Sequence, residues 1–322
     1  MLKEISIEII RKCPNNCLHC SSLSDKYCNE IMPLDKFKEV VTDAAELGAR
    51  TICLSGGEPF LHSDIEEMVK FVCEIGLSCY IYTSGIVLNN NCYESISLEL
   101  LSRINKSVTK LIFNLEAAKE STYNKIMGTK GCFPKVKQSI INANDCNIVT
   151  EIHFVPMKLN MYEIEDVVEL SEQLGVSKIS FLRLVVHGRA QKNKDVIALS
   201  KEEYGYVKNK LKSLQTNSQI SIRIGVPLSD GNSCQKCEAA NGKLNIKYDG
   251  KVFPCEVFKN YDFINSLPGL VPMNIYTNRL KTIYVQSRYL ICVRNISNDF
   301  LTQNDKETCI GQELMKMETK ED

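Results

Sequence analysis

KEISIEIIRKCPNNCLHC, residues 3–20, sets a β-branched alternating run directly against a loop that holds Cys13, Cys17 and Cys20. Alternation of Ile with Glu and Ser over 3–10 predicts a strand with two different faces. The next periodic stretch is helical: residues 33–47 space their apolar side chains about 3.6 apart, open with Pro33 and stop at Gly48. The same alternation then runs on. It predicts strand 50–55 with helix 63–75 and strand 78–83 with a helix near 95–103. Strand 108–115 precedes helix 134–145, strand 147–155 helix 161–174, and strand 178–186 helix 200–214. Six strand–helix units in about 215 residues predict a parallel sheet with helices outside it.

The unusual residues fall at the carboxyl ends of those strands. Gly56-Gly57-Glu58-Pro59 follows the second strand, Thr83-Ser84-Gly85 the third and Pro156-Met157-Lys158 the fifth. Asn114-Leu115-Glu116 ends the fourth strand, and Arg183 to Arg189 end the sixth. That placement predicts an α/β fold built as a partial (β/α)6 TIM-like barrel, since barrels assemble active sites on that rim. Past residue 218 the rhythm changes. QISIRIGV (219–226) reads as one more strand, and KLNIKYDGKVFP (243–254) as a hairpin turning at Asp249-Gly250. A helix is expected over 275–291. The expected division is 1–225 for the barrel and 226–322 for a small α+β domain.

Composition narrows the function. In 322 residues, 39 Lys and Arg balance 39 Asp and Glu, which argues against a nucleic-acid-binding surface. No apolar run approaches the ~20 residues of a membrane span. Met1 to Glu4 lead straight into a strand, so no signal peptide and a cytoplasmic location are expected. There are 15 cysteines, too few for a small disulfide scaffold, and in a reducing compartment clustered thiols point to metal or catalysis. Two groups stand out: Cys13, Cys17 and Cys20, then Cys234, Cys237 and Cys255. Softness alone does not separate zinc from iron–sulfur ligation. Three loop thiols without an evident fourth partner suit a cubane cluster with one iron left open. Gly56 and Gly57 allow close backbone approach to a ligand, and Glu58 offers a carboxylate to an amine.

CPNNCLHC after the first strand, GGEP after the second and the βα series together resemble the radical S-adenosylmethionine (SAM) enzymes over residues 3–190. The resemblance implies a four-iron cluster on Cys13, Cys17 and Cys20, with SAM chelating the open iron. His19 is then expected near the adenine, Gly56, Gly57, Glu58 and Pro59 near the SAM ammonium, and Ser84 near ribose and methionine. Asn114 and Glu116 stand where relatives often carry Ser-Leu-Asp. Arg183 is expected either at the SAM carboxylate or in a barrel-end salt bridge. Cys237, twelve residues and then GKVFPC (250–255) resemble the opening of the SPASM and twitch auxiliary-cluster domains. That implies a second four-iron cluster on Cys234, Cys237, Cys255 and Cys309, with Cys292 as competitor for the last place.

The implied chemistry is reductive cleavage of SAM to a 5′-deoxyadenosyl radical that takes a hydrogen atom from the substrate. A ribosomally synthesised peptide is the expected substrate, crosslinked, epimerised or oxidised. The alternatives are a small molecule (nucleotide, sugar or cofactor precursor) and a non-catalytic metal-binding scaffold. Expected partners are a flavodoxin- or ferredoxin-type electron donor and a separate leader-peptide recognition protein, because the chain begins two residues before its first strand. No nucleic acid or membrane is expected. His62 and His153 read as structural, and His187 as a packing residue at the barrel mouth. No hydrogen donor or base stands out; Cys28, Cys132 and Cys292 are unranked.

Overall fold

A computed structural model describes residues 1–225, 228, 237–259, 270–303, 309–311 and 314. Its strands are β1 (Glu4–Ile10), β2 (Thr51–Gly56), β3 (Ser78–Thr83), β4 (Ile86–Asn89), β5 (Cys92–Ser95), β6 (Lys110–Asn114), β7 (Val149–Phe154), β8 (Lys178–Phe181), β9 (Ser221–Ile224), β10 (Lys243–Ile246) and β11 (Val252–Phe253). The helices are α1 (Leu34–Glu46), α2 (Ile65–Glu74), α3 (Leu98–Ile104), α4 (Glu120–Met127), α5 (Phe133–Asp145), α6 (Ile164–Gln173), α7 (Arg189–Lys192), α8 (Lys194–Ile197), α9 (Lys201–Asn217), α10 (Leu280–Gln286) and α11 (Arg288–Gln303). Nine strands form one sheet in the order β11-β10-β1-β2-β3-β6-β7-β8-β9, parallel except for the β10–β11 pair. Among the described residues β9 and β11 are its two edges, and no closed barrel is formed. No described helix is long and apolar enough to cross a membrane.

The period-2 pattern of β1 explains the layering. Ile5, Ile7 and Ile9 are fully buried in one core with Ile52, Leu54 and Ile81 and with Phe37, Val40, Val69 and Val72 of α1 and α2. The alternate residues face the barrel interior, and that face is polar. Ser6 meets Ser55 at 3.3 Å, Lys110 meets Glu151 at 2.8 Å, and Lys243 meets Glu4 at 3.0 Å. His153 stacks on Tyr82 with ring centres 5.3 Å apart. Burial, with Arg223, Lys110 and Lys178 around it, pushes the His153 imidazole down to about 3. A base depressed in the fold stays neutral there while the unfolded chain takes up a proton. Stability is therefore whole above pH 6.5 and falls as pH drops toward about 3. Urea titrations should show a loss of up to about 1.4 kcal/mol per pH unit in that window. His153→Phe, which keeps the ring, should flatten the dependence; an unchanged slope would exclude His153 as its source.

Several boundaries differ from expectation. Strand 178–186 stops at Phe181, after which the chain turns into the α7–α8 segment. The helix over 275–291 is two, broken at Ser287, whose ψ of 111° leaves the helical region. The C-terminal segment also contributes to the barrel sheet. β10 pairs in parallel with β1, Lys243 opposite Glu4 and Ile246 opposite Ile7, and so extends the barrel sheet. α10 docks on α1 through Arg279, which donates to the fully buried Asp43.

Candidate active site

The Cys13–Cys20 loop leaves β1 and is fastened from four sides. At its root, Cys13 N–H donates to Asp25 O at 2.9 Å. From β2, Gly57 N–H reaches Ile10 O at 2.7 Å and Glu58 N–H reaches Lys12 O at 2.8 Å, carrying the β1–β2 ladder past the strand ends. From α4, Met127 O accepts from Asn16 N–H at 3.0 Å and Ile126 O from Leu18 N–H at 2.8 Å. From α7, the Arg189 guanidinium holds Cys17 O and Ser24 O, each at 2.8 Å, and its backbone N–H holds Cys20 O at 2.9 Å. Arg189 and α4 had no signal in the sequence that tied them to this loop.

The glycines of GGEP bring β2 against the entry to the loop. A Cβ on Gly56 would lie 2.2 Å from Ile10 O, and one on Gly57 would lie 2.1 Å from Lys12 O. Their bare faces are filled by the backbone that enters the cysteine loop. Glu58 has partners within the protein. It is fully buried, and its two oxygens accept from Phe60 N–H (3.2 Å), Thr83 Oγ1 (2.7 Å), Ser84 N–H (2.8 Å) and Ser84 Oγ (2.6 Å). Four donors fill its four lone-pair positions. Burial raises its pKa while the hydroxyls and N–H groups oppose the rise. Glu58 therefore braces the ends of β2 and β3, and Ser84 is engaged with it. Pro59 is buried and opens a short 3-10 turn.

Around the loop, His19 Nε2 lies 3.4 Å from Glu116 Oε1, and the other Glu116 oxygen accepts from Val155 N–H at 2.8 Å. Asn114 ends β6 opposite His153. His62 accepts from Asp64 N–H at 3.0 Å and its other ring nitrogen lies 3.0 Å from Met32 O, as a structural histidine should.

The second cysteine group is carried by the β10–β11 hairpin. Ala240 N–H donates to Pro254 O at 2.9 Å, which draws the segment after Cys237 toward Cys255. Burial, followed by Cys309 and Cys237, pushes the Cys255 thiol up to about 12, so the three thiols are neighbours. Cys292, on α11, is pushed up by burial alone. Cys234 lies outside the described residues. Arg183 goes to this group and not to the first: its Nη2 lies 3.0 Å from Cys309 Sγ. The cause is the early end of β8, which sends Arg183 off the barrel rim. His187 clips the same loop to the hairpin through Val257 O at 2.8 Å.

Residues 7–174, about half of the chain, match the Radical SAM superfamily profile. The chain belongs to the radical SAM superfamily. A PqqA peptide cyclase of Rhizobium meliloti is 25% identical over 285 residues, 87% of this chain and 72% of that protein. An AdoMet-dependent heme synthase of Methanosarcina barkeri is 24% identical over 275 residues, 78% of this chain and 76% of the other. The fold is shared with Streptococcus suis SuiB bound to its precursor peptide SuiA, at TM-score 0.74 and 15% identity over 91% of this chain and 67% of that one.

Radical SAM proteins are enzymes that use a four-iron cluster and SAM, and the residues around the first loop fit both. Burial pushes Cys13 and Cys17 far above the usual thiol range, with neighbouring thiols of the loop adding to it. Such thiols become thiolates only beside strong positive charge, which a metal cluster supplies. Buried polar atoms without a hydrogen-bond partner among the described residues include Asn15 Nδ2, His19 Nδ1 and the Tyr123 hydroxyl, all on or beside this loop. Unpaired groups of this kind are costly in a closed protein and are what a polar ligand would satisfy. No three His, Cys, Asp or Glu side chains among the described residues converge at single-ion distance.

Proposed function

We propose that this chain reductively cleaves SAM and uses the product to modify a ribosomally synthesised peptide. The observation that carries the first half is the cysteine loop fastened by β2, α4 and α7 beside three buried polar atoms without hydrogen-bond partners among the described residues. Cys13, Cys17 and Cys20 hold the cluster. His19, Asn114 and the Glu116 oxygen beside His19 stand at the SAM pocket, and Gly56, Gly57, Glu58, Pro59 and Ser84 build the wall that keeps the loop in place. When bound, cluster and SAM supply a 5′-deoxyadenosyl radical that removes a hydrogen atom from the substrate. The protein's part is to orient the pair and to exclude water.

Cys237, Cys255 and Cys309, with Cys234, hold a second four-iron cluster in a twitch- or SPASM-like unit spanning 226–322. Arg183 acts there, beside Cys309. A flavodoxin- or ferredoxin-type donor supplies the electron, in the cytoplasm, and a separate protein presents the leader peptide. The peptide reading is supported by the PqqA peptide cyclase relative and by the fold shared with SuiB in its peptide complex. The heme synthase relative favours a second reading, a small-molecule substrate. Incubation of the reconstituted enzyme with SAM, dithionite and candidate precursor peptides separates them. Loss of two hydrogens by mass, or deuterium uptake at an α-carbon, is the expected result. SAM cleavage that leaves every peptide unaltered but modifies a tetrapyrrole or nucleotide would select the second reading.

A further inference from the structure

A buried ion pair lies behind the cysteine loop. Glu8, on the inner face of β1, is 1% exposed, and Lys259 is 4% exposed. The Lys259 ammonium donates to Glu8 and to Ser22 Oγ, the latter at 3.0 Å, and lies 3.3 Å from Glu256 Oε2. Ser22 in turn donates to Glu8 at 2.7 Å, and Tyr248 N–H approaches the other Glu8 oxygen at 3.3 Å. Two hydrogen bonds and a second carboxylate thus fix the ammonium. Ser22 stands two residues beyond Cys20, which puts a full positive charge against the back of the loop. Cys20 is among the groups that favour the charged form of this lysine.

Neither ion is needed to fill the space. An apolar pair of similar volume at such a site is commonly as stable or more so, because two ions must be stripped of water. The location suggests what the charge does. Lys259 arrives from the C-terminal segment, four residues after Cys255, so one short turn carries both a thiol of the second group and the cation behind the first. A fixed cation beside an iron–sulfur cluster stabilises its reduced, more negative state, and charge near a cluster is one of the main determinants of its potential.

We propose that Lys259 sets the reduction potential of the cluster held by Cys13, Cys17 and Cys20, with Glu8 and Ser22 fixing where its charge sits. It is a positioning and electrostatic residue contributed to the first site by the segment that carries the second. This inference rests on the function proposed above. Arg189, another cation at the loop, is committed to backbone carbonyls of Cys17 and Ser24 and serves the loop's shape.

The test is a redox titration of the reconstituted full-length protein, following the electron paramagnetic resonance signal that SAM perturbs. Lys259→Met should move the midpoint of that signal to more negative potential, and Lys259→Arg should hold it near wild type. Glu8→Gln, which leaves the cation in place without its counter-ion, should move it the opposite way. A role in packing alone cannot give opposite signs. If Lys259→Met does not fold, Glu8→Gln carries the test by itself. An unmoved midpoint, or shifts of the same sign in Lys259→Met and Glu8→Gln, overturns the assignment. A wild-type protein with no SAM-sensitive signal overturns the proposed function and this inference together.

Discussion

Cys17→Ala should reduce 5′-deoxyadenosine formation from SAM and dithionite to the uncatalysed background. The thiol donates to Met127 Sδ at 3.7 Å. What holds the loop at this residue is the backbone, through the carbonyl that accepts from Arg189. Truncation to Ala therefore removes a ligand while leaving the loop's hydrogen bonds in place. The fold should survive with an unchanged thermal midpoint, and the iron and sulfide bound at the first site should be lost. Cys28→Ala is the matched control. That thiol lies 3.4 Å from Asp25 Oδ1 in the same loop region but outside the ligand trio, and its removal should leave cleavage intact. Product formation is read by chromatography and metal content by iron and sulfide assay. Turnover by Cys17→Ala would remove that residue from the cluster.

Gly57→Ala should be strongly disruptive. The added carbon would lie 2.1 Å from Lys12 O and 2.5 Å from Arg11 O, and both obstacles are backbone. Relief requires the cysteine loop to move away from β2. That breaks the bond from Glu58 N–H to Lys12 O, 2.8 Å long, and strains the one from Gly57 N–H to Ile10 O. Overpacking costs about 1–3 kcal/mol and each lost hydrogen bond about 1 kcal/mol, so a loss on the order of 2–5 kcal/mol is expected. Iron retention should fall with it, since the displaced segment is the root of the ligand loop. Gly205→Ala is the counter-case: nothing lies within 4 Å of its added carbon, inside α9. It should stabilise by roughly 0.5–1 kcal/mol through helix propensity. Thermal unfolding of the metal-free variants reads both effects. Equal midpoints for the two would contradict the packing described for GGEP.

The βα rhythm was legible because each unit has one dominant period and clear stops. The partial barrel followed from where the unusual residues cluster. What escaped has physical causes. The β4–β5 hairpin turns on Asn90 and Asn91, both with positive φ (48° and 63°), a conformation that asparagine tolerates but does not announce. α4 is short, and its importance lies in its last carbonyls, which the side-chain pattern does not report. The glycines of GGEP were visible as close-approach residues, yet a sequence cannot say which surface approaches them. Glu58 was visible as a carboxylate, whereas the four donors that occupy it come mostly from residues 83–84. Arg183, Arg189 and Lys259 owe their positions to contacts across 126, 172 and 251 residues of chain, beyond the reach of any local pattern.

The account stands on SAM docking against the cluster at Cys13, Cys17 and Cys20. Its most direct test is the paramagnetic resonance spectrum of the dithionite-reduced protein, recorded without SAM and with SAM labelled with 15N at its amino group. SAM should change the spectrum and add a hyperfine coupling from the labelled nitrogen, and Cys17→Ala should show neither. A wild-type spectrum that SAM leaves untouched, with no 15N coupling, would contradict the account.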